Sequence, residues 1–223
     1  MSEVKQLLPP LREVFDALLG RFGPQHWWPG RTRLEMCVGA ILTQNTAWKN
    51  VEKAIVNLRA ARALNVRALH SADMKMLAQW IRPAGYFNVK AQRLREFTTM
   101  LVDDFGGSLD KLFSLPTEKL RERLLAVKGI GPETADCIVL YAARRPVFVI
   151  DAYTRRFMSR HDWAAHAASY DHLAKVFEAA LPRDETLFNE YHALIVALGK
   201  EFCRTKARCD GCPLRKFLPE KQR

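Results

Sequence analysis

Val127-Lys128-Gly129-Ile130-Gly131-Pro132-Glu133-Thr134-Ala135-Asp136 is the stretch on which the fold depends. A helical pattern runs into it, with Leu120, Leu124 and Val127 at i, i+4 and i+7 on one apolar stripe. Two glycines then interrupt the helix, and Pro132 follows, suited to the first position of a new one. Ala135, Ile138 and Val139 resume the stripe. The pattern predicts helix, Gly-Ile-Gly hairpin, helix. Such a turn leaves backbone N–H groups at a helix N-terminus, a site for a phosphate that glycine lets approach closely. An ordinary αα-hairpin with a glycine C-cap accounts for the same ten residues, so the choice rests on the rest of the chain.

With 48% hydrophobic residues, the 223-residue chain can bury one large domain or two small ones sharing a core. No apolar run approaches the ~20 residues of a membrane span. Met1-Ser2-Glu3-Val4-Lys5 lacks the apolar core of a signal peptide, so an intracellular, cytoplasmic protein with no membrane partner is expected. A formal net charge of +11 suits a polyanion, and it bears on partners, not on fold. Cys37 and Cys137 lie in apolar helical runs and read as buried thiols. Cys203, Cys209 and Cys212 are clustered, which in an intracellular chain favours a metal over disulfides.

Taken in order, residues 9 to 23 form an amphipathic helix, and His26-Trp27-Trp28-Pro29-Gly30 a loop. Leu34 to Leu42 is an almost wholly apolar helix ending at Thr43-Gln44-Asn45-Thr46-Ala47-Trp48. Val51, Ala54, Ile55 and Leu58 mark the next helix, and Asp73 is the expected N-cap of another holding Leu77 and Ile81. A turn follows at 82–88, a helix from Val89 to Phe105, and a helix start at Pro116-Thr117. Beyond the hairpin, Val147-Phe148-Val149-Ile150 leads to Asp151, and helical patterns recur near 170–181 and 185–200. No alternating stretch is long enough for a sheet. The expected class is all-α, without internal repeats.

Asp151 lies twenty residues past Gly131, after an apolar run. Hydrolysis of an N-glycosidic bond passes through an oxocarbenium-like state, which a nearby carboxylate stabilises while activating water. A plain N-cap for the helix starting at Ala152 explains the same residue. Taken together, these features resemble the helix-hairpin-helix DNA glycosylases of the endonuclease III superfamily. The resemblance covers nearly the whole chain: Leu-Thr-Gln-Asn-Thr, Gly-Tyr-Phe-Asn-Val-Lys-Ala (85–91), Gly-Ile-Gly-Pro-Glu-Thr-Ala-Asp, Val-Ile-Asp and the C-terminal cysteines, in family order. It implies two all-α domains with an active-site cleft between them. Residues 31–145 would form a six-helix bundle, and residues 1–30 with 146–223 the second domain. By the same resemblance Asp151 is the essential acid, and Gly129, Ile130 and Gly131, flanked by Lys128 and Thr134, bind a DNA phosphate. Gln44 and Asn45 fill the gap left by the extruded base, and Tyr86 wedges the opposite strand.

In bifunctional members a lysine sits two residues after the second hairpin glycine and forms a Schiff base with the sugar. This chain has Glu133 there, which implies a monofunctional enzyme using water; Lys128 is the one conceivable substitute amine. Gripping a flipped base needs stacking surfaces, for which Trp27, Trp28 and Trp48 are candidates, each with a core role as the alternative. Aromatic rings attract cationic bases such as N-alkylated purines, and Glu133 adds negative charge. Trp-Trp-Pro, Thr-Gln-Asn-Thr-x-aromatic and Gly-Ile-Gly-x-Glu are similar to the 3-methyladenine glycosylases of this superfamily. Thymine or uracil mispaired with guanine, oxidised pyrimidines, lyase activity through another amine, and a non-catalytic DNA-binding module remain as alternatives.

Cys203-x5-Cys209-x2-Cys212 resembles the family's four-cysteine iron–sulfur loop, with Leu218 where the fourth cysteine belongs. A [4Fe-4S] cluster would then need a substitute ligand. Zinc would need one too, and His192 is the nearest histidine, though its spacing does not recommend it. A metal-free loop stands beside both. The implied partner is damaged double-stranded DNA, bound by a monomer.

Overall fold

The computed structural model describes residues 9–27 and 30–220. Among them there is no strand, and twelve α-helices carry the fold. They are α1 (Leu11–Phe22), α2 (Arg33–Leu42), α3 (Trp48–Ala60), α4 (Val66–Ser71), α5 (Met74–Trp80), α6 (Phe87–Phe105), α7 (Leu109–Phe113), α8 (Thr117–Leu125), α9 (Pro132–Cys137), α10 (Ala152–Arg160), α11 (Tyr170–Ala180) and α12 (Glu185–Glu201). The all-α class read from the sequence is the class observed. The chain divides into two compact units, one of Trp28–Arg145 and one of Met1–Trp27 with Pro146–Arg223.

The continuous unit is built around α2 and α6. Thr32 caps α2 by accepting from the Glu35 N–H at 3.2 Å, and Cys37 to Leu42 are all buried. Val38, Ile41 and Leu42 are fully buried, and each such side chain contributes about 1.5–3 kcal/mol. α4 and α5 pack on α6, and α2 packs on a π-helical continuation of α9 at Ile138–Ala142. Two carboxylates are buried in this unit, and each has an arginine. Glu35 pairs with Arg59, and Asp136 with Arg121 at 2.7 Å. An unpaired charge there would cost several kcal/mol.

α4 and α7 are absent from the sequence reading. They have six and five residues, too few to display a helical period. Their starts rest on single caps, Asn65 accepting from the Ala68 N–H and Ser108 from the Lys111 N–H. Asp73 caps α5 as expected, accepting from the N–H groups of Lys75 and Met76.

The discontinuous unit assembles α1 and α10–α12. Its core is aromatic: Phe148 stacks on Phe177 with ring centroids 3.9 Å apart, and Phe188 and Tyr191 meet Phe148 edge-on. Tyr191 donates its hydroxyl to the Leu11 carbonyl at 2.9 Å, tying α12 to the start of α1. The extended segment 147–150 threads this core with every residue buried. Its backbone N–H groups find side-chain acceptors, Phe148 on Glu178 and Ile150 on the Tyr170 hydroxyl. Asp151 is thereby delivered, fixed, to the start of α10. At the crossing of α10 and α12, Tyr153 lies where a side chain on Gly199 would sit, so only glycine allows the approach.

Candidate nucleic-acid interface and candidate active site

The hairpin between α8 and α9 closes on the hydrogen bond from the Ile130 N–H to the Val127 carbonyl, 3.0 Å. That bond commits the Ile130 amide to the turn. Val127 and Ile130 turn inward and are buried, while Lys128, Gly129, Gly131, Pro132 and Glu133 are exposed. Gly129 has φ +88°, and a Cβ there would come within 2.6 Å of Arg93 Cγ. The first glycine is therefore required twice, by its backbone and by its neighbour. Gly131 is the N-cap of α9, Pro132 its first residue, and Thr134 is buried. α9 presents its N-terminus beside this exposed glycine turn, the arrangement that favours an anion.

Two loops of the same unit carry the other residues singled out for DNA. Asn45 (φ 53°) and Tyr86 (φ 44°) both occupy the left-handed region, which non-glycine residues seldom adopt. Both are exposed, Tyr86 to 73%. Gln44 behaves differently. Its Nε2 donates to the Gly129 carbonyl at 3.0 Å and to Thr134 Oγ1 at 2.9 Å, and its Oε1 accepts from Arg93. Its side chain is engaged with the hairpin in this state, leaving Asn45 as the member of the pair that projects. Arg93 has no place in the sequence reading, and Lys90 none beyond its position in the Gly-Tyr-Phe-Asn-Val-Lys-Ala run.

The aromatic and acidic residues assigned to the base fall on separate elements. Trp48 opens α3 and is half-buried. Glu133 is exposed in the first turn of α9, where its charge complements the helix N-terminus. Trp27, in the other unit, is half-buried with the Lys200 ammonium 5.5 Å from its ring centroid. Trp28 lies outside the described residues.

Asp151 is 9% exposed and caps α10. Its Oδ1 accepts from both the N–H and the hydroxyl of Thr154, at 2.7 and 2.8 Å. Its Oδ2 faces His192 Nε2 across 3.6 Å. Burial alone pushes this carboxyl up, but the His192 interaction and the Thr154 hydrogen bonds outweigh it and hold the group below the usual carboxylate range. The capping geometry and a buried, ionised carboxylate thus coexist in one residue, one oxygen serving each. His192 sits on α12, far from Asp151 in sequence, and no local motif connects them.

The three C-terminal cysteines line one small cavity together with Arg160, His161 and Leu218. Its volume is about 20 Å³, room for about one water molecule. Arg160 donates to Cys203 Sγ at 3.3 Å and to the carbonyls of Arg204 and Thr205, and Arg156 donates to the Cys203 carbonyl. His161 is committed too: its Nδ1 lies 2.8 Å from the Phe157 carbonyl and its Nε2 3.4 Å from that of Leu214. Leu218 is buried at the position of the expected fourth ligand. His192 faces Asp151, not this loop. Among the described residues no group of three or more His, Cys, Asp or Glu side chains is disposed to hold a metal ion. The loop thus offers three thiols, one donor fewer than a four-thiolate cluster or a four-ligand zinc site takes.

Among the described residues no helix is long and apolar enough to cross a membrane. Comparison with known proteins gives the family. Residues 38–183 match the model of the HhH-GPD superfamily base excision DNA repair proteins. The Methanocaldococcus jannaschii protein MJ1434, named provisionally as a DNA repair glycosylase, is 46% identical over 94% of this chain and 96% of its own length. The crystal structure of H. pylori 3-methyladenine DNA glycosylase (MagIII) bound to 1,N6-ethenoadenine is 31% identical, with a TM-score of 0.73 over 85% of this chain and 96% of that one. A non-covalent endonuclease III–DNA complex, 22% identical, shares the fold with a TM-score of 0.80 over 94% of both chains. Hairpin, buried aspartate and these likenesses converge: the chain belongs to the HhH-GPD superfamily of base excision DNA repair proteins, as a DNA glycosylase.

Proposed function

We propose that the protein is a monofunctional glycosylase that removes alkylated purines, chiefly 3-methyladenine, from damaged double-stranded DNA. The observation that carries this reading is Asp151, a buried carboxylate kept ionised and immobile by Thr154 and His192. In the proposed reaction the N-glycosidic bond breaks and its electron pair leaves with the base. The Asp151 carboxylate stabilises the positive charge that grows on the sugar, and it accepts the proton of the water that adds to C1′. The products are a free base and an intact abasic site. Restraining the carboxylate beforehand means that little reorganisation is required as the charge develops.

Glu133 supports the monofunctional half, because a carboxylate at the position of the Schiff-base lysine cannot act as an amine nucleophile. The hairpin is proposed to grip a backbone phosphate, with Asn45 and Tyr86 entering the duplex. Trp48 and Glu133 are proposed to contact the base. The likeness to the H. pylori enzyme, whose crystal structure holds a modified adenine, supports the purine preference. The test is a panel of end-labelled duplexes carrying 3-methyladenine, a G·T or G·U mismatch, or an oxidised pyrimidine, each read with and without hot alkali. Alkali-dependent breaks confined to the alkylated duplex are expected. Breaks only on a mismatch or an oxidised pyrimidine would overturn the substrate, and breaks without alkali would overturn the monofunctional mechanism.

A further inference from the structure

Lys90 is 1% exposed, an unusual location for an ammonium. It sits in the first turns of α6, and helical side chains lean toward the N-terminus of their helix. Its stem therefore runs back toward the turn that carries Tyr86. Nζ donates to three acceptors: the Leu42 carbonyl at 2.8 Å, the Ala84 carbonyl at 2.8 Å and Thr46 Oγ1 at 2.6 Å. The first is an orphan carbonyl at the end of α2, and the second closes the 3-10 turn Arg82–Ala84. One ammonium thus satisfies the ends of two elements where partial negative charge collects. Thr46 completes the link by donating to the same Ala84 carbonyl at 2.6 Å. Asn45 lies between Leu42 and Thr46, and Tyr86 two residues beyond Ala84.

One turn further along α6, Arg93 performs the same service for the hairpin. It covers Gly129 and donates to Gln44 Oε1, while Gln44 Nε2 holds the Gly129 carbonyl and Thr134 Oγ1. The left-handed backbones of Asn45 and Tyr86 persist only where their surroundings over-determine them. Here the surroundings are these cations and Thr46.

We propose that Lys90 and Arg93 are positioning residues that fix the Asn45 loop, the Tyr86 turn and the Gly129–Gly131 hairpin as one pre-set surface for strained duplex DNA. Neither cation is assigned a contact with the base or the sugar. The proposal rests on the reading of those three segments as the DNA-entering surface. It predicts that affinity for a distorted duplex depends on side chains buried behind the surface as much as on those exposed upon it. Pre-organisation of this kind lowers the ordering cost of binding.

The experiment uses the full chain and a duplex with a tetrahydrofuran abasic analogue, with 2-aminopurine beside the orphaned base in the opposite strand. Binding that wedges the duplex unstacks the 2-aminopurine and raises its fluorescence. The variants are Lys90→Met, Arg93→Met, Thr46→Val and the reference Tyr86→Ala, each checked for native helicity by circular dichroism. Thr46→Val removes the hydroxyl link while leaving Lys90 in place, so it answers the question if Lys90→Met fails to fold. Expected is an affinity loss of about tenfold in Lys90→Met and Thr46→Val, with at least half of the fluorescence rise lost. Combination of Thr46→Val with Tyr86→Ala should be no worse than Tyr86→Ala alone, because the link acts through the wedge. Arg93→Met should weaken binding to intact duplex as well, through the hairpin. Folded Thr46→Val and Arg93→Met proteins with wild-type affinity and fluorescence, beside a defective Tyr86→Ala, would overturn the proposal alone. A Tyr86→Ala protein indistinguishable from wild type would overturn the DNA-entering reading and the proposal with it.

Discussion

Replacing Asp151 separates its two roles by stability before any catalysis is measured. Asp151→Ala deletes the acceptor for two donors of Thr154, a residue with no exposed surface. A lost N-cap costs about 1 kcal/mol, and a buried donor left without a partner about 1–3 kcal/mol. The alanine variant should therefore be less stable by about 2–4 kcal/mol in urea unfolding at pH 7. Asp151→Asn retains a side-chain oxygen to accept from Thr154, so the cap survives and its loss should stay below about 1 kcal/mol. The carboxyl is depressed in the folded protein, so it binds protons less readily folded than unfolded. Its ionised form therefore adds stability above the ordinary carboxylate range, near pH 4, and this contribution disappears as pH falls through the lower folded value. The stability difference between wild type and Asp151→Asn should shift against the wild type over that same interval. Equal losses in the asparagine and alanine variants at pH 7, or a loss below about 1 kcal/mol in alanine, would refute the assignment of Oδ1 to the cap.

Three further outcomes follow from the other elements. Gly129→Ala should cost about 1–3 kcal/mol, from the positive φ and the collision with Arg93, and weaken binding to undamaged duplex in fluorescence anisotropy. Glu133→Lys restores an amine two residues after the second hairpin glycine. It should yield a borohydride-trapped protein–DNA adduct on a gel, and absence of any adduct would count against the position. Lys90 is lowered by burial first and by Arg93 second to about 8 from its ordinary 10.5. Between those values the unfolded chain holds more protons than the folded one, so wild type should gain stability relative to Lys90→Met as pH rises across that interval.

The glycine hairpin was legible because each of its constraints is local: the stripe, the two glycines, the proline at the first helical position. The long amphipathic helices were legible for the same reason, and Asp151 was visible as both a cap and a carboxylate. What the sequence could not display is pairing at a distance. His192 reaches Asp151 only because α12 returns across α10, where Gly199 gives Tyr153 room. Nothing local marks Lys90 as buried, because its partners are carbonyls that α2 and the Arg82–Ala84 turn bring to it. Gln44, assigned by resemblance to the gap left by an extruded base, donates its amide to the hairpin through contacts that no local motif displays. The pattern places a turn at 82–88, yet α6 begins at Phe87, because Tyr86 takes a left-handed N-cap position that carries no side-chain signal. At the C-terminus the spacing of three cysteines suggested a cluster. The folded loop brings those cysteines to one cavity beside Leu218 and places arginines on the Cys203 sulfur and backbone, contacts that the spacing does not display.

Whether the Asp151 carboxylate does the chemistry is decided by single-turnover release of 3-methyladenine from a labelled duplex by wild type and Asp151→Asn. The asparagine variant should bind the duplex as wild type does, remain folded, and release base about 10²–10⁴-fold more slowly. Release at the wild-type rate by a folded Asp151→Asn protein would contradict it and leave Asp151 as a helix cap.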